Sequence, residues 1–208
     1  VVAPGQSVEY FPADILFFHA HPDDESLAFG VLMSAASRVG KCLATVLFTD
    51  GEAGKDLYPH RAVGGPYPDR TLQGAELAAV RVREAQNALA IMGCQIYVRL
   101  GLKNRPYNSV RDEVSAEQVI AEWGGEEALQ AKLEEILRGF RPRVVVSPDH
   151  GAREHFEHEA VGILVAKAVA SLRGQGEEFL QGHLVPVGPQ ARDRYPVLVE
   201  VDALAKDA

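Results

Sequence analysis

Short β-branched and aromatic runs alternate along the chain with longer stretches in which apolar residues recur every three or four positions. That is the pattern of strands and helices taking turns. Ile15-Leu16-Phe17-Phe18 predicts a first buried strand, and Ser26 to Arg38 predicts a helix stopped by Gly40. Leu43 to Phe48 predicts a second strand, and the glycine- and proline-rich segment from Asp50 to Asp69 a long loop of the kind that usually carries function. Leu77, Val80, Ala85, Ala88, Leu89 and Met92 fall at helical spacing within Leu72 to Met92, and Gly93 supplies the stop. Ile96 to Leu100 predicts a third strand, followed by an irregular stretch from Gly101 to Val114. Ser115 and Gln118 have capping-box spacing for a helix that Gly124-Gly125 interrupts and that resumes from Glu126 to Arg138. Arg143 to Ser147 has the continuous β-branched character of a central parallel strand. A turn through Pro148-Asp149-His150-Gly151 then leads to a helix from His155 or Glu157 to Leu172, and Val197 to Val201 predicts a last strand.

This order implies an α/β fold, Rossmann-like in its three layers, with a mostly parallel sheet covered on both faces and the active site at the strand carboxyl ends. Three polar clusters fall at such ends: His19 to Glu25, Thr49 to Gly54, and Asp149 to His158.

The 208 residues, 47% hydrophobic and 24% charged, suit one globular domain over 1–208. A formal net charge of −8 with no Lys/Arg cluster argues against a nucleic-acid partner. No apolar run approaches the ~20 residues that span a bilayer. The cytoplasm is the expected compartment, with an upstream signal left open because the numbering begins at Val1 rather than at a methionine. Cys42 and Cys94 lack CxxC spacing and read as buried free thiols.

His21, Asp23 and Asp24 crowd an imidazole and two carboxylates into four residues, with Pro22 stiffening the turn. Adjacent carboxylates at a buried strand end repel one another, and a divalent ion converts that repulsion into coordination. The alternative is a helix cap, with Asp24 or Ser26 serving the helix that follows. His155 and His158 stand at i and i+3, on one face of a first helical turn, so that one can bind a metal while the other faces a substrate. Zinc takes imidazole and carboxylate ligands, and a catalytic site keeps three protein ligands. His21, Asp24 and His158 would supply them.

Ala20-His21-Pro22-Asp23-Asp24-Glu25 resembles the AHPDDE signature of the PIG-L/LmbE-like zinc-dependent deacetylases, and His155-Phe156-Glu157-His158 is similar to that family's His-Pro-Asp-His motif. Thr49-Asp50-Gly51-Glu52-Ala53-Gly54 resembles its T-x-G-E-x-G loop, and Arg81-Val82-Arg83-Glu84 its R-x-x-E helix. The four motifs cover the chain from about Ala13 to Val201. The resemblance implies a zinc-dependent N-deacetylase that removes an acetyl or other acyl group from an amide nitrogen of an N-acetylglucosamine-type conjugate. It implies His21, Asp24 and His158 as ligands of zinc, with another divalent metal open, Asp23 as general base toward the hydrolytic water, and His155 as the group stabilising the oxyanion. A cationic imidazole at His155 would suit that charge. By the same resemblance, Glu52 and Arg81 are candidates for substrate contact, although Arg81 with Glu84 also has the spacing of a surface ion pair. A small N-acetylated sugar conjugate is the expected partner, and a homo-oligomer is left open.

The chain departs from the family pattern in three places. Phe156-Glu157 replaces Pro-Asp, leaving a carboxylate able to orient a neighbouring histidine. Leu102-Lys103-Asn104 stands where an acidic residue is expected, and the end at Ala208 suggests a terminal helix that is missing or short. His19-Ala20-His21-Pro22-Asp23 also resembles the start of a metallo-β-lactamase-like hydrolase, with His19 and His21 on one side of a strand. A non-catalytic sugar- or metal-binding module is the second alternative. His60, His150 and His183 are expected to be solvated or hydrogen-bonded rather than ligands.

Overall fold

The computed structural model describes residues 1–57, 71–106, 114–151 and 155–186. Among these residues, five strands form one sheet: β1 (Ile15–His19), β2 (Leu43–Thr49), β3 (Ile96–Leu102), β4 (Val144–Val146) and β5 (Gly182–Leu184). Their order is β3-β2-β1-β4-β5, and every pairing is parallel. Six helices among the described residues connect them: α1 (Asp24–Leu27), α2 (Gly30–Arg38), α3 (Gly74–Ile91), α4 (Ala116–Glu122), α5 (Glu126–Phe140) and α6 (Phe156–Gly174).

The strands are apolar on both faces because both are covered. Leu16, Phe18, Ala44, Val46 and Val145 pack with the buried stripes of α4, α5 and α6. Phe17, Leu43, Leu47, Tyr97 and Val146 pack on the other side with residues of α2 and α3. Alternation along each strand divides its residues between the two cores. The sheet order turns back on itself between β1 and β4, and a crevice opens there outside the carboxyl ends of the strands.

The sequence expectations hold for most elements; three elements differ, as does the burial of the cysteines. The helix expected over Ser26 to Arg38 is broken at Ala28-Phe29 into α1 and α2. A Cβ at Gly30 would lie 3.2 Å from Met92 Sδ, so the glycine lets the end of α3 approach closely. The third strand continues past Leu100 through Gly101, whose φ of +66° accompanies a register shift against β2. This brings the chain on toward Asn104. Strand β5 arises between the expected helix to Leu172 and the expected strand from Val197, where no element is predicted; three residues, Gly-His-Leu, carry no periodicity from which to infer it. Cys42 and Cys94 are free thiols as expected, but half-buried rather than buried. The expected strand Val197–Val201, His60 and most of the Asp50–Asp69 loop lie outside the described residues.

The capping box at Ser115 and Gln118 is formed in both directions. Val2 adds a parallel bridge to Val98 along the outer edge of β3. At the other end of the sheet, Ser147 Oγ lies 2.8 Å from His183 Nε2, and burial, reinforced by the positive charge of Arg173, pushes the His183 imidazole down to about 4. The unfolded chain takes up this proton near the ordinary histidine pKa of ~6.5 and the folded chain does not, so the stability linked to His183 is complete above that value. It is lost as the pH falls from about 6.5 toward 4. Thermal midpoints measured between pH 7 and 4.5 are expected to decline, and His183→Gln to flatten part of that decline. An unchanged slope in the variant would contradict the assignment.

Candidate metal centre

The first half of the site is the turn leaving β1. Asp24 Oδ2 accepts the backbone N–H groups of Ala20 and His21, both at 3.0 Å, so the carboxylate folds back over the strand end and Oδ1 remains for other partners. His19, fully buried, bonds the His21 carbonyl through Nδ1 at 2.9 Å and fixes the same turn from beneath. Asp23 takes φ 154° and ψ −27°, a region that side-chain-bearing residues rarely occupy, and its N–H is held by Glu25 Oε2 at 3.0 Å. Thus the two neighbouring aspartates point apart: Asp24 is buried, whereas the Asp23 side chain is 52% exposed.

The second half comes from the start of α6. His155 is the N-cap, its Nδ1 accepting the Glu157 N–H at 3.1 Å, and His158 follows one turn later. The three histidine rings His21, His155 and His158 gather with centroids 4.7 to 5.1 Å apart. His158 Nε2 lies 3.1 Å from Asp24 Oδ1 and 3.1 Å from His21 Nδ1. Single ligand atoms of His21, Asp24 and His158 all fall within 4.8 Å of one another. The sequence-predicted set is therefore brought together from opposite sides of the crevice.

Glu157, fully buried, bonds His21 Nε2 closely through Oε2. A proton on Nε2 leaves the lone pair on Nδ1, the nitrogen that faces Asp24 and His158. This is the orienting carboxylate expected from the Phe156-Glu157 departure. Although burial opposes it, bonding to the Asp24 carboxylate raises the His158 imidazole above its ordinary value. Burial likewise opposes ionisation of Asp24, yet His158, His21 and His19 hold its carboxyl well below the usual carboxylate range. Two imidazole nitrogens and one carboxylate oxygen form a donor set that a tetrahedral divalent ion such as zinc would satisfy.

His155 differs from the cationic expectation. Burial, with His21 and His158 close by, pushes its pKa down to about 4, so the ring is neutral near pH 7, with Nδ1 as acceptor and the proton on Nε2. A second grouping, His21, His155 and Glu157, also brings ligand atoms within 4.8 Å, but two of its members, His21 and Glu157, are already bonded to each other.

Arg81 lies between the site and the Gly51–Gly54 loop. Its Nη1 donates to Gly51 O at 3.0 Å, and Nη2 donates to Pro22 O at 2.8 Å and to Asp23 Oδ2 at 3.0 Å. Partial burial lifts the Asp23 carboxyl above its ordinary value, the Arg81 guanidinium pulls it back, and Asp24 adds to the lift. Gly51, at φ +73°, is a glycine for two reasons, since a Cβ there would also collide with the Arg81 guanidinium. Glu52 Oε1 accepts the Asn104 N–H at 2.7 Å. Arg81 and Glu52, expected to touch substrate, thus hold parts of the protein. Asn104, which the sequence singled out only as a departure, donates through Nδ2 to Glu157 at 2.7 Å.

His19 belongs to neither grouping of possible metal ligands among the described residues. That and the all-parallel sheet remove the metallo-β-lactamase-like alternative. No helix among the described residues is long and apolar enough to cross a membrane.

Residues 16–169 match the PIG-L family, described as GlcNAc-PI de-N-acetylase. The chain is 33% identical over 170 residues to a 1D-myo-inositol 2-acetamido-2-deoxy-alpha-D-glucopyranoside deacetylase of Corynebacterium urealyticum, covering 74% of this chain and 49% of that protein. It is 33% identical over 161 residues to the deacetylase of the same name from Mycobacterium leprae, covering 76% and 50%. The chain thus spans about half the length of these curated relatives. Among solved structures, the N,N'-diacetylchitobiose deacetylase from Pyrococcus horikoshii superposes with a TM-score of 0.56 at 25% identity, covering 76% of this chain and 50% of that one. A conserved protein from Thermus thermophilus shares the fold at a TM-score of 0.58 and 22% identity, covering 85% and 67%. With the metal-ligand geometry at the crevice and three-quarters of the chain matched, this protein belongs to the PIG-L family.

Proposed function

We propose that the chain is a zinc-dependent N-deacetylase that releases acetate from the amide of an N-acetylglucosamine-type conjugate. The observation that carries this reading is the convergence of His21 Nδ1, Asp24 Oδ1 and His158 Nε2, with His21 oriented by Glu157 on its other nitrogen. The names of the relatives, deacetylases of acetamido sugars, supply the substrate class. Zinc held by these three groups supplies Lewis-acid polarisation of the acyl carbonyl and brings the pKa of a water toward ~7.

The chain's own residues divide the remaining work. Asp23, adjacent to a ligand but turned outward by its backbone, accepts the proton of the attacking water. Hydroxide adds to the acyl carbon, the C–N bond breaks, and the amine departs with a proton, leaving acetate and the free amine. Arg81 fixes the Asp23 carboxylate toward that task through Oδ2, while its other bonds, to the Pro22 and Gly51 carbonyls, secure the guanidinium itself. The neutral His155, with its proton on Nε2, donates a hydrogen bond to the oxygen on which negative charge develops. Glu52 shapes the loop beside the crevice.

Asp23→Asn is expected to lower kcat for acetate release by about 10²- to 10⁴-fold while zinc content stays at the wild-type level. Retained activity would remove Asp23 from the role of base. His155→Ala is expected to lower kcat by about 10²- to 10³-fold, again with zinc retained; loss of zinc instead would mean that His155 is a ligand. Arg81→Lys separates positioning from substrate binding. A fall in kcat at nearly constant KM is expected if Arg81 acts through Asp23, and a raised KM at constant kcat would return it to the sugar.

A further inference from the structure

Asn104 follows the end of β3 and is buried, with its amide held in one orientation by two partners. The Ala53 N–H can only donate, and it meets Oδ1 at 2.9 Å. The Arg105 carbonyl can only accept, and it meets Nδ2 at 3.3 Å. A flipped amide would oppose donor to donor and acceptor to acceptor. Nδ2 therefore donates to Glu157 Oε2, 2.7 Å away, while the Arg105 N–H donates to Glu157 Oε1 at 2.7 Å. With the Glu157 oxygens accepting from both sides, its bond to His21 is also one that it accepts, and the proton of His21 lies on Nε2. The direction of these bonds follows from fixed backbone groups, the Ala53 N–H and the Arg105 carbonyl and N–H.

We propose that Asn104 is a positioning residue of the metal centre: by donating to Glu157 it fixes the tautomer and ring orientation in which His21 presents Nδ1 to Asp24 and His158. The proposal rests on His21, Asp24 and His158 being the metal ligands. It also accounts for two departures from the family pattern together. An acidic side chain at position 104 would set two carboxylates against each other at the 2.7 Å now spanned by a hydrogen bond, and the amide makes Asn104 and Glu157 a matched donor and acceptor.

The test uses the full chain, stripped of metal and titrated with zinc against a chromophoric chelator, and separately with Co2+ followed by its ligand-field absorption. Asn104→Asp is expected to weaken zinc binding by about 10- to 100-fold and to alter the cobalt spectrum, with circular dichroism of the metal-free protein retained. Asn104→Ala, which removes the donor without adding charge, is expected to show a smaller loss in the same direction. Wild-type zinc affinity with an unchanged cobalt spectrum in Asn104→Asp overturns the proposal, as does the same result in Asn104→Ala where the first variant does not fold. A wild-type chain that binds no zinc, or binds it no better than His21→Ala, overturns the ligand assignment instead.

Discussion

The hydrogen bond between the Glu157 carboxylate and His21 Nε2 joins residues 136 positions apart and decides which His21 nitrogen faces the rest of the site. If the proton sat on Nδ1, the ring would present a donor where a metal shared with Asp24 and His158 would require an electron pair. The bond exists because β1 and β4 are neighbours at the point where the sheet order reverses, so the turn after one strand meets the helix entered from the other. The two hydrophobic cores fix that adjacency, and the chemistry is confined to the crevice above it.

Burying polar groups at such a place is unfavourable unless each finds a partner. Here the partners are mostly backbone. Asp24 takes two N–H groups of its own turn, Glu157 takes the Arg105 N–H, and His19 takes the His21 carbonyl. Such partners hold their positions more rigidly than side chains, which keeps the ligands close to one geometry. The unusual backbone of Asp23 is held in the same way, by Glu25 within the turn and by Arg81 across the crevice, and its effect is to turn one of two consecutive carboxylates inward and the other outward.

Much of this was legible in the sequence because it is local. His21 and Asp24 are three residues apart on one turn, His155 and His158 lie on one helical face, and the strand preceding each cluster is marked by its apolar run. Both the burial of β2 on its two faces and the capping box at Ser115 follow from patterns within a few residues. What the sequence withheld is the pairing across the crevice. Asn104 lies 52 residues from Glu52 and 53 from Glu157, and Arg81 lies 58 from Asp23. Periodicity reports which face of an element is buried, but not which residue stands opposite. For that reason nothing in the sequence points to the bonds of Glu52 to Asn104 and of Arg81 to the Asp23 turn. The charge expected on His155 failed for a related reason, since burial among two other histidines depends on the assembled site rather than on the motif.

The central claim is that one divalent ion sits among His21 Nδ1, Asp24 and His158 Nε2, with Glu157 behind His21 rather than on the metal. The most direct measurement is anomalous diffraction at the zinc absorption edge from crystals of the zinc-loaded chain. The account predicts a single strong peak bonded to those three groups, with the Glu157 carboxylate remaining on His21 Nε2. A peak bonded to His21 Nε2, His155 and Glu157, or none in the crevice between β1 and β4, would contradict it.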